Sequence, residues 1–317
     1  MLDIKDRPMF PHVFDSSMIS SFKSCNRKGA WSYIDHYKPK GESIHLHAGG
    51  AFAKGLEVAR NEYYLKKTSR EDSVAIGMIA LMEAYGDFTA PEGSSKTLDR
   101  MMGAFEYFNE SFPLGDDNFE PLEFHDNKLG IEFSFAEPLD VLHPITQLPI
   151  LFSGRADMIG HYMDGIYLED DKTTSSLGAS WAKQWELRSQ FSAYCWAAKK
   201  ILKLPIKGVL VRGISILKTK YETLPTITYR ADWEIERWKE QTERDIRKLI
   251  QSWEEGYYDY NLDYSCNEYG GCQFNLVCKS KHPDTWLESD FERKVWSPLD
   301  RKDISVKEWE DSWNHSN

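Results

Sequence analysis

Two short stretches carry residues whose types and spacing could do chemistry: Gly154-Arg155-Ala156-Asp157 and Leu168-Glu169-Asp170-Asp171-Lys172-Thr173. Between them Met163-Asp164-Gly165 reads as a hairpin turn, with Gly165 expected to supply a positive φ. Asp157 then lies on one strand and Asp170 on the next. On a strand, residues two apart share a face, so Asp170 and Lys172 point the same way and Asp157 reaches them across the hairpin. Paired carboxylates, with Asp171 beside them as a further oxygen ligand, suit a hard divalent cation such as Mg²⁺ or Mn²⁺. A neighbouring lysine can orient or deprotonate a water and offset developing negative charge. That combination is what hydrolysis of a phosphodiester requires.

The elements that must position these groups follow from periodicity. A helix is expected from Asp15–Ser17 to about Tyr33, a loop over His45–Gly50, and a helix from Gly50 to about Lys67. Helical spacing recurs over 71–85 and 95–112. Strands are expected over 128–135, 149–161 and 166–173, the first with Leu129, Ile131, Phe133 and Phe135 on one side. A long helix should span 180–203, followed by strands over 209–218 and 224–229 and a helix over 232–255. This is an α/β arrangement around a mixed sheet. It divides into an N-terminal helical region (1–112), a core (113–255) and a cysteine-bearing C-terminal segment (256–317), together expected to form one compact unit.

The formal net charge of −11 argues against a polyanionic partner at face value, but the charge is unevenly spread. No Asp or Glu occurs from Leu187 to Tyr221, a stretch carrying Arg188, Lys199, Lys200, Lys203, Lys207, Arg212, Lys218 and Lys220. It reads either as a basic binding surface or as a solvated helix face with edge-strand lysines. No apolar run approaches the roughly 20 residues of a membrane span, and the first ten residues lack the apolar segment of a signal peptide, so a cytoplasmic location is expected.

The two motifs resemble those of the PD-(D/E)XK nuclease superfamily, and within it the RecB-like exonucleases. The matching residues are Gly154, Arg155 and Asp157, then Asp170, Lys172 and Thr173. Eighteen residues after Lys172, Gln190 and Tyr194 match the Q-x-x-x-Y motif of the RecB-like group and share a helix face. The resemblance implies a restriction-endonuclease-like fold, DNA exonuclease activity at free, single-stranded ends, and a role in recombination, repair or replication. The stand-alone size is similar to that of phage-encoded nucleases, which would place the protein in the host cytoplasm. One position departs from the pattern. Gly49–Glu57 fits the frame G-x-x-x-H-x-x-L-E, but Ala53 stands where the metal-binding His is expected. Glu57, one turn on, could supply the missing ligand; water, His45 or His47 are alternatives. The departure also admits a second class of function, a non-catalytic DNA-binding or scaffold protein.

The five cysteines include Cys266, Cys272 and Cys278, spaced C-x5-C-x5-C, with Cys25 far upstream and Cys195 inside the long helix. One cysteine before the nuclease core and three after it is the layout of RecB-like proteins that hold a [4Fe-4S] cluster, so the resemblance implies such a cluster on Cys25, Cys266, Cys272 and Cys278. The same four thiolates could instead hold structural Zn²⁺. Cys195 reads as a core thiol. The aromatic run Trp253–Tyr264 could stack on bases or wrap a core.

Overall fold

A computed structural model describes residues 7–41, 43–124, 128–267 and 271–299. Along the chain run β1 (Val13–Asp15), α1 (Ser16–Ser24), α2 (Asn26–Tyr33), β2 (Tyr37–Pro39), α3 (Ile44–Arg60), a π-helical turn (Asn61–Leu65), α4 (Arg70–Tyr85) and α5 (Leu98–Ser111). Next come β3 (Phe119–Pro121), β4 (Ile131–Leu142), β5 (Pro149–Tyr162), β6 (Gly165–Thr174), α6 (Ala179–Lys183), α7 (Ser189–Leu202), β7 (Ile206–Ile216) and β8 (Tyr221–Tyr229). Last are α8 (Asp232–Glu255), α9 (Tyr264–Asn267), α10 (Asn275–Lys279), α11 (Pro283–Asp290) and β9 (Phe291–Arg293). The sheet is mixed and helices flank it, as the α/β reading expects. Among the described residues no helix is long and apolar enough to cross a membrane.

The chain forms two compact units, each assembled from separated segments. One comprises 42–134 and 155–235. In it β5 and β6 form the expected antiparallel hairpin, β6 and β7 run parallel, and β7 and β8 close antiparallel. Strand parity sends Glu169, Asp171 and Thr173 to the face that also carries Arg212, Ile214 and Ile216. Helices α3, α4 and α5 cover that face, burying Phe52, Leu56, Leu81, Met101, Phe105 and Phe108 with Ile214 and Ile216. The approach is close because Gly55 and Gly77 face each other; a Cβ on Gly77 would sit 2.7 Å from both the Gly55 carbonyl and Ala59. The opposite face bears Gly213, where a Cβ would strike Trp181 of α6 at 2.5 Å.

The other unit comprises 7–41, 135–154 and 236–299 among the described residues. Here β1 runs parallel to Leu151–Ser153 of β5, and Asp15 caps α1 by accepting the Met18 N–H at 2.8 Å. Strand β2 pairs with β9 over a small core of Trp31, Phe274, Val277, Leu287 and Phe291.

Several local expectations change. His45–Gly50 is the first part of α3, not a loop: Ile44 and Ala48 pack into the α3–α5 core, and that burial outweighs two helical glycines. The first expected helix breaks at Cys25, whose extended backbone (φ −164°, ψ 121°) separates α1 from α2. The long helix over 180–203 is two helices with a break at 184–188. In the hairpin turn the positive φ falls on Met163 (51°), not on Gly165. Gly165 instead admits the Lys207 side chain, whose Cδ would lie 2.6 Å from a Cβ there.

Candidate active site

Strands β5 and β6 pair from Tyr162↔Gly165 as far as Met158↔Glu169. The next positions are Asp157 and Asp170, and there the ladder stops. Instead of a strand partner, the Asp171 N–H finds the Asp157 carboxylate, donating to Oδ2 at 2.6 Å. Asp157 thus stands in the fork where the strands part. Asp170, on the face opposite Glu169 and Asp171, is 2% exposed and ion-paired with the Lys172 ammonium. Burial, reinforced by Asp157, raises the Asp170 pKa to about 7 despite the pull of Lys172. Burial opposes the charge on Lys172, but Asp170 and Asp157 outweigh it and hold its pKa above the ordinary lysine value. Lys172 is therefore an ammonium at neutral pH.

Helix α3 presents Ala53, Glu57 and Arg60 along one stripe, at i, i+4 and i+7. Arg60, 3% exposed, pairs with Glu169 at 2.6 Å and Asp171 at 2.7 Å. Both acids lie on the face of β6 that α3 covers, so the carboxylate of Asp171 is committed to Arg60. Glu57 is paired with Lys54 at 2.9 Å. His47 bonds the Tyr85 carbonyl at 2.8 Å and stacks on Phe88, and His45 is exposed on the first turn of α3. On α7, Gln190 Nε2 donates to the Tyr194 hydroxyl at 2.7 Å, so the i, i+4 pair forms as expected.

Sequence reasoning missed four contributors: Arg60, described above, and three more. Glu132 of β4, in a left-handed backbone conformation (φ 55°), is buried and pairs with Arg155 at 2.8 Å. Its pKa rises to about 8, chiefly through burial and then through repulsion from Asp157, with Glu57 adding a smaller push. Arg212 pairs with Asp117 at 2.7 Å and Glu169 at 3.2 Å, so Glu169 is held between two buried arginines. Lys96 is buried beside Thr173. The available signal was a charged residue at an apolar position of its element, as for Arg60 among Leu56 and Ala59.

The acid-free stretch is an open basic surface only in part. Lys199 pairs with Asp232 at 2.5 Å, Lys207 with Asp164 at 2.5 Å and Lys220 with Glu222 at 2.5 Å, while Arg212 is buried. Acids outside the stretch meet four of its eight charges, while Arg188, Lys200, Lys203 and Lys218 are exposed.

A profile of the PD-(D/E)XK nuclease superfamily matches residues 16–279. The chain belongs to the PD-(D/E)XK nuclease superfamily. Among solved structures, it is similar to a "putative exonuclease" from Eubacterium rectale, with a TM-score of 0.51 and 12% identity over 92% of this chain and 94% of that one. A structure named SSO0001 is more distant, with a TM-score of 0.32 and 13% identity over 84% and 96%. At these identities the likeness is one of fold. No curated protein matches.

A PD-(D/E)XK nuclease calls for a hard cation. Among the described residues no three His, Cys, Asp or Glu side chains form a ready-made metal cage. Mg²⁺ does not need one, because it usually binds one or two carboxylates and completes its shell with water and substrate phosphate. Asp157 and Asp170 fit that role: two like charges repel across the fork, and the pKa of Asp170 is already raised. A cation there relieves both costs.

The four cysteines that the resemblance singles out lie together in the other unit. Cys25, Cys266, Cys272 and Cys278 line one cavity with Lys28, Trp31 and Phe274. Burial, and then the other three thiols, raise the Cys278 pKa to about 11. The Asn261 N–H donates to Cys25 Sγ at 3.4 Å. Arg27 lies within 6 Å of the Trp31, Tyr257, Tyr258 and Tyr260 rings, so that part of the aromatic run wraps an arginine of its own chain. Cys195 is a buried core thiol.

Proposed function

We propose that the protein is a metal-dependent DNA exonuclease acting at single-stranded ends in recombination, repair or replication. The observation that carries this reading is the strand fork, where Asp157 and Asp170 meet beside an ammonium on Lys172. Asp157 and Asp170 would hold Mg²⁺ or Mn²⁺, with Glu57 the candidate for the place left by Ala53. When bound, the cation polarises the scissile phosphate and favours hydroxide over water. The chain's own part is positional. Lys172 orients the attacking water and sets its charge against the phosphorane; being held as an ammonium, it is suited to that role rather than to removing a proton. Asp171 and Arg60 hold the strand that carries Asp170 and Lys172. Gln190 and Tyr194 are proposed to steady the DNA near the cut.

In the other unit, Cys25, Cys266, Cys272 and Cys278 would hold a [4Fe-4S] cluster, with Zn²⁺ the competing occupant. Their common cavity and the amide donor on Cys25 Sγ favour a metal centre over four unrelated thiols.

The test is cleavage of end-labelled single- and double-stranded DNA and of closed circles, with Mg²⁺ or Mn²⁺, beside Lys172→Ala. Progressive shortening of linear single strands, absent in the variant, is expected. Cutting of closed circles would make it an endonuclease, and DNA binding with no metal-dependent cleavage would make it a scaffold.

A further inference from the structure

The loop before α5 ends in a lysine with unspent hydrogen-bonding capacity. Lys96 is 5% exposed. Its backbone is fixed from both sides: its N–H donates to Ser94 Oγ at 3.1 Å and its carbonyl accepts the Tyr85 hydroxyl at 2.8 Å. The ammonium donates to Thr173 Oγ1 at 3.0 Å. Among the described residues it has no carboxylate partner, and two of its three hydrogens have no acceptor. Burying a cation without an anion is costly, and this one is buried against the residue that follows Lys172. Burial accordingly lowers its pKa. The Thr173 hydroxyl, having accepted from Lys96, keeps its own proton to donate.

Beside Thr173, α3 carries Gly49, and the exposed Gly50 follows it. Each costs about 1 kcal/mol relative to alanine in a helix interior. Neither has a positive φ. Neither is forced by packing, unlike Gly55 and Gly77: a Cβ on Gly49 would meet only Thr173 Oγ1, at 3.8 Å, and one on Gly50 would meet nothing within 4 Å. Gly49 keeps the surface at Thr173 clear of a side chain, and Gly50 leaves the next position of the helix bare.

We propose that Lys96, Thr173 and the bare Gly49–Gly50 surface form a phosphate subsite that holds a phosphodiester of the DNA strand neighbouring the one cut at Lys172. The inference rests on the reading of the chain as a DNA nuclease. The anion supplies the partner that Lys96 lacks and accepts from the Thr173 hydroxyl, while the glycines let the sugar-phosphate backbone approach.

The test measures binding of a fluorescent oligodeoxynucleotide by anisotropy, in Ca²⁺ to suppress cleavage, across a salt series. Lys96→Met should weaken binding about tenfold and reduce the log–log salt slope by about 0.7, one phosphate contact on a single strand. Lys96→Arg should restore most of the affinity. Gly50→Leu, which points into open space and improves helix propensity, should weaken binding to a similar degree with an unchanged or higher Tm; it keeps the test alive if Lys96→Met fails to fold. If wild-type protein binds and cuts DNA but Lys96→Met and Gly50→Leu bind with wild-type affinity and salt slope, the subsite is wrong and the nuclease reading stands. If wild-type protein neither binds nor cuts DNA, the nuclease reading fails and takes the subsite with it.

Discussion

The Asp157 carboxylate takes the N–H of Asp171 at 2.6 Å, where the β5–β6 ladder has just ended. One side chain thus does the work of a missing strand partner and at the same time brings its charge next to Asp170. Asp157→Ala should therefore lose twice, leaving the Asp171 amide unsatisfied and removing a carboxylate from the fork. We expect cleavage to fall by about 10²-fold or more, with about 1–3 kcal/mol of stability lost as well. Asp157→Asn keeps an acceptor for the amide. Its stability in urea should stay near wild type while its cleavage rate drops like that of the alanine variant. Equal destabilisation by both would show that the amide bond is not what Asp157 contributes to the fold.

Lys172→Ala makes the complementary cut. It removes the charge proposed to face the scissile phosphate and leaves the Asp157–Asp171 bond in place. Turnover should fall roughly 10²–10³-fold, the scale for a single preorganised electrostatic donor. Single-turnover kinetics at saturating DNA would place the loss in kcat; a loss confined to KM would mean that Lys172 only binds the strand.

Arg60 is the buried brace behind this strand, shared by Glu169 and Asp171 at 3% exposure. Removing it leaves two carboxylates buried. Glu169 would keep Arg212, whereas Asp171 would have no other ion-pair partner among the described residues. Arg60→Leu should cost about 3–5 kcal/mol, the scale for breaking a buried ion pair from one side. Urea denaturation measures it directly. Arg60→Lys, with one compact charge in place of a fork, should recover only part of the loss. A variant as stable as wild type would show that the acids protonate at no net cost.

These cases mark what the sequence could disclose. Asp157, Asp170 and Lys172 were legible because one hairpin brings them together, and a turn with two alternating flanks is a local signal. Gln190 and Tyr194 were legible for the same reason, one helical turn apart. Arg60 and Glu132 were not, because each is explained by a partner far along the chain: Glu169 and Asp171 for one, Arg155 for the other. The basic stretch was legible only in part, for the converse reason. Its acids, Asp164, Glu222 and Asp232, lie outside it or at its margins and are brought in by the fold. The start of α3 was hidden by Gly49 and Gly50, whose low propensity is overridden by packing in the α3–α5 core.

The raised pKa of Asp170 makes a signed prediction about pH. Its folded value, about 7, lies above the ordinary aspartate value of 3.8, so the folded state holds this proton more tightly than the unfolded state. The stability from a neutral Asp170 is fully present below the unfolded value and is lost as pH rises through the folded one. Comparison with Asp170→Asn isolates this group from the other titrating residues. In EDTA, the asparagine variant should gain roughly 1–4 kcal/mol on wild type between about pH 4 and pH 8.5, because each pH unit between the two values is worth about 1.36 kcal/mol. With Mg²⁺ or Mn²⁺ present, the wild-type protein should recover the difference at high pH, because a cation held as proposed would bind the ionised carboxylate. A difference that is flat with pH would mean that Asp170 titrates like an exposed acid.

The cysteine cavity makes the last prediction, and it separates two metals. Cys25 sits at the break between α1 and α2, while Cys266, Cys272 and Cys278 come from the segment more than 200 residues further on. A centre joining them closes a very long loop, and closing such a loop restricts the unfolded chain most. Protein purified without oxygen should be brown, with iron and sulfide in equal amounts by analysis; zinc with no visible colour would identify the other occupant. In either case Cys25→Ser should lose the metal and destabilise the unit that contains all four cysteines. Cys195→Ser should leave the metal content unchanged, because that thiol is buried in α7 and does not line the cavity. If Cys25→Ser kept a full complement of metal, Cys25 would be no ligand, and the centre would rest on the three C-terminal thiols and a fourth group of another kind.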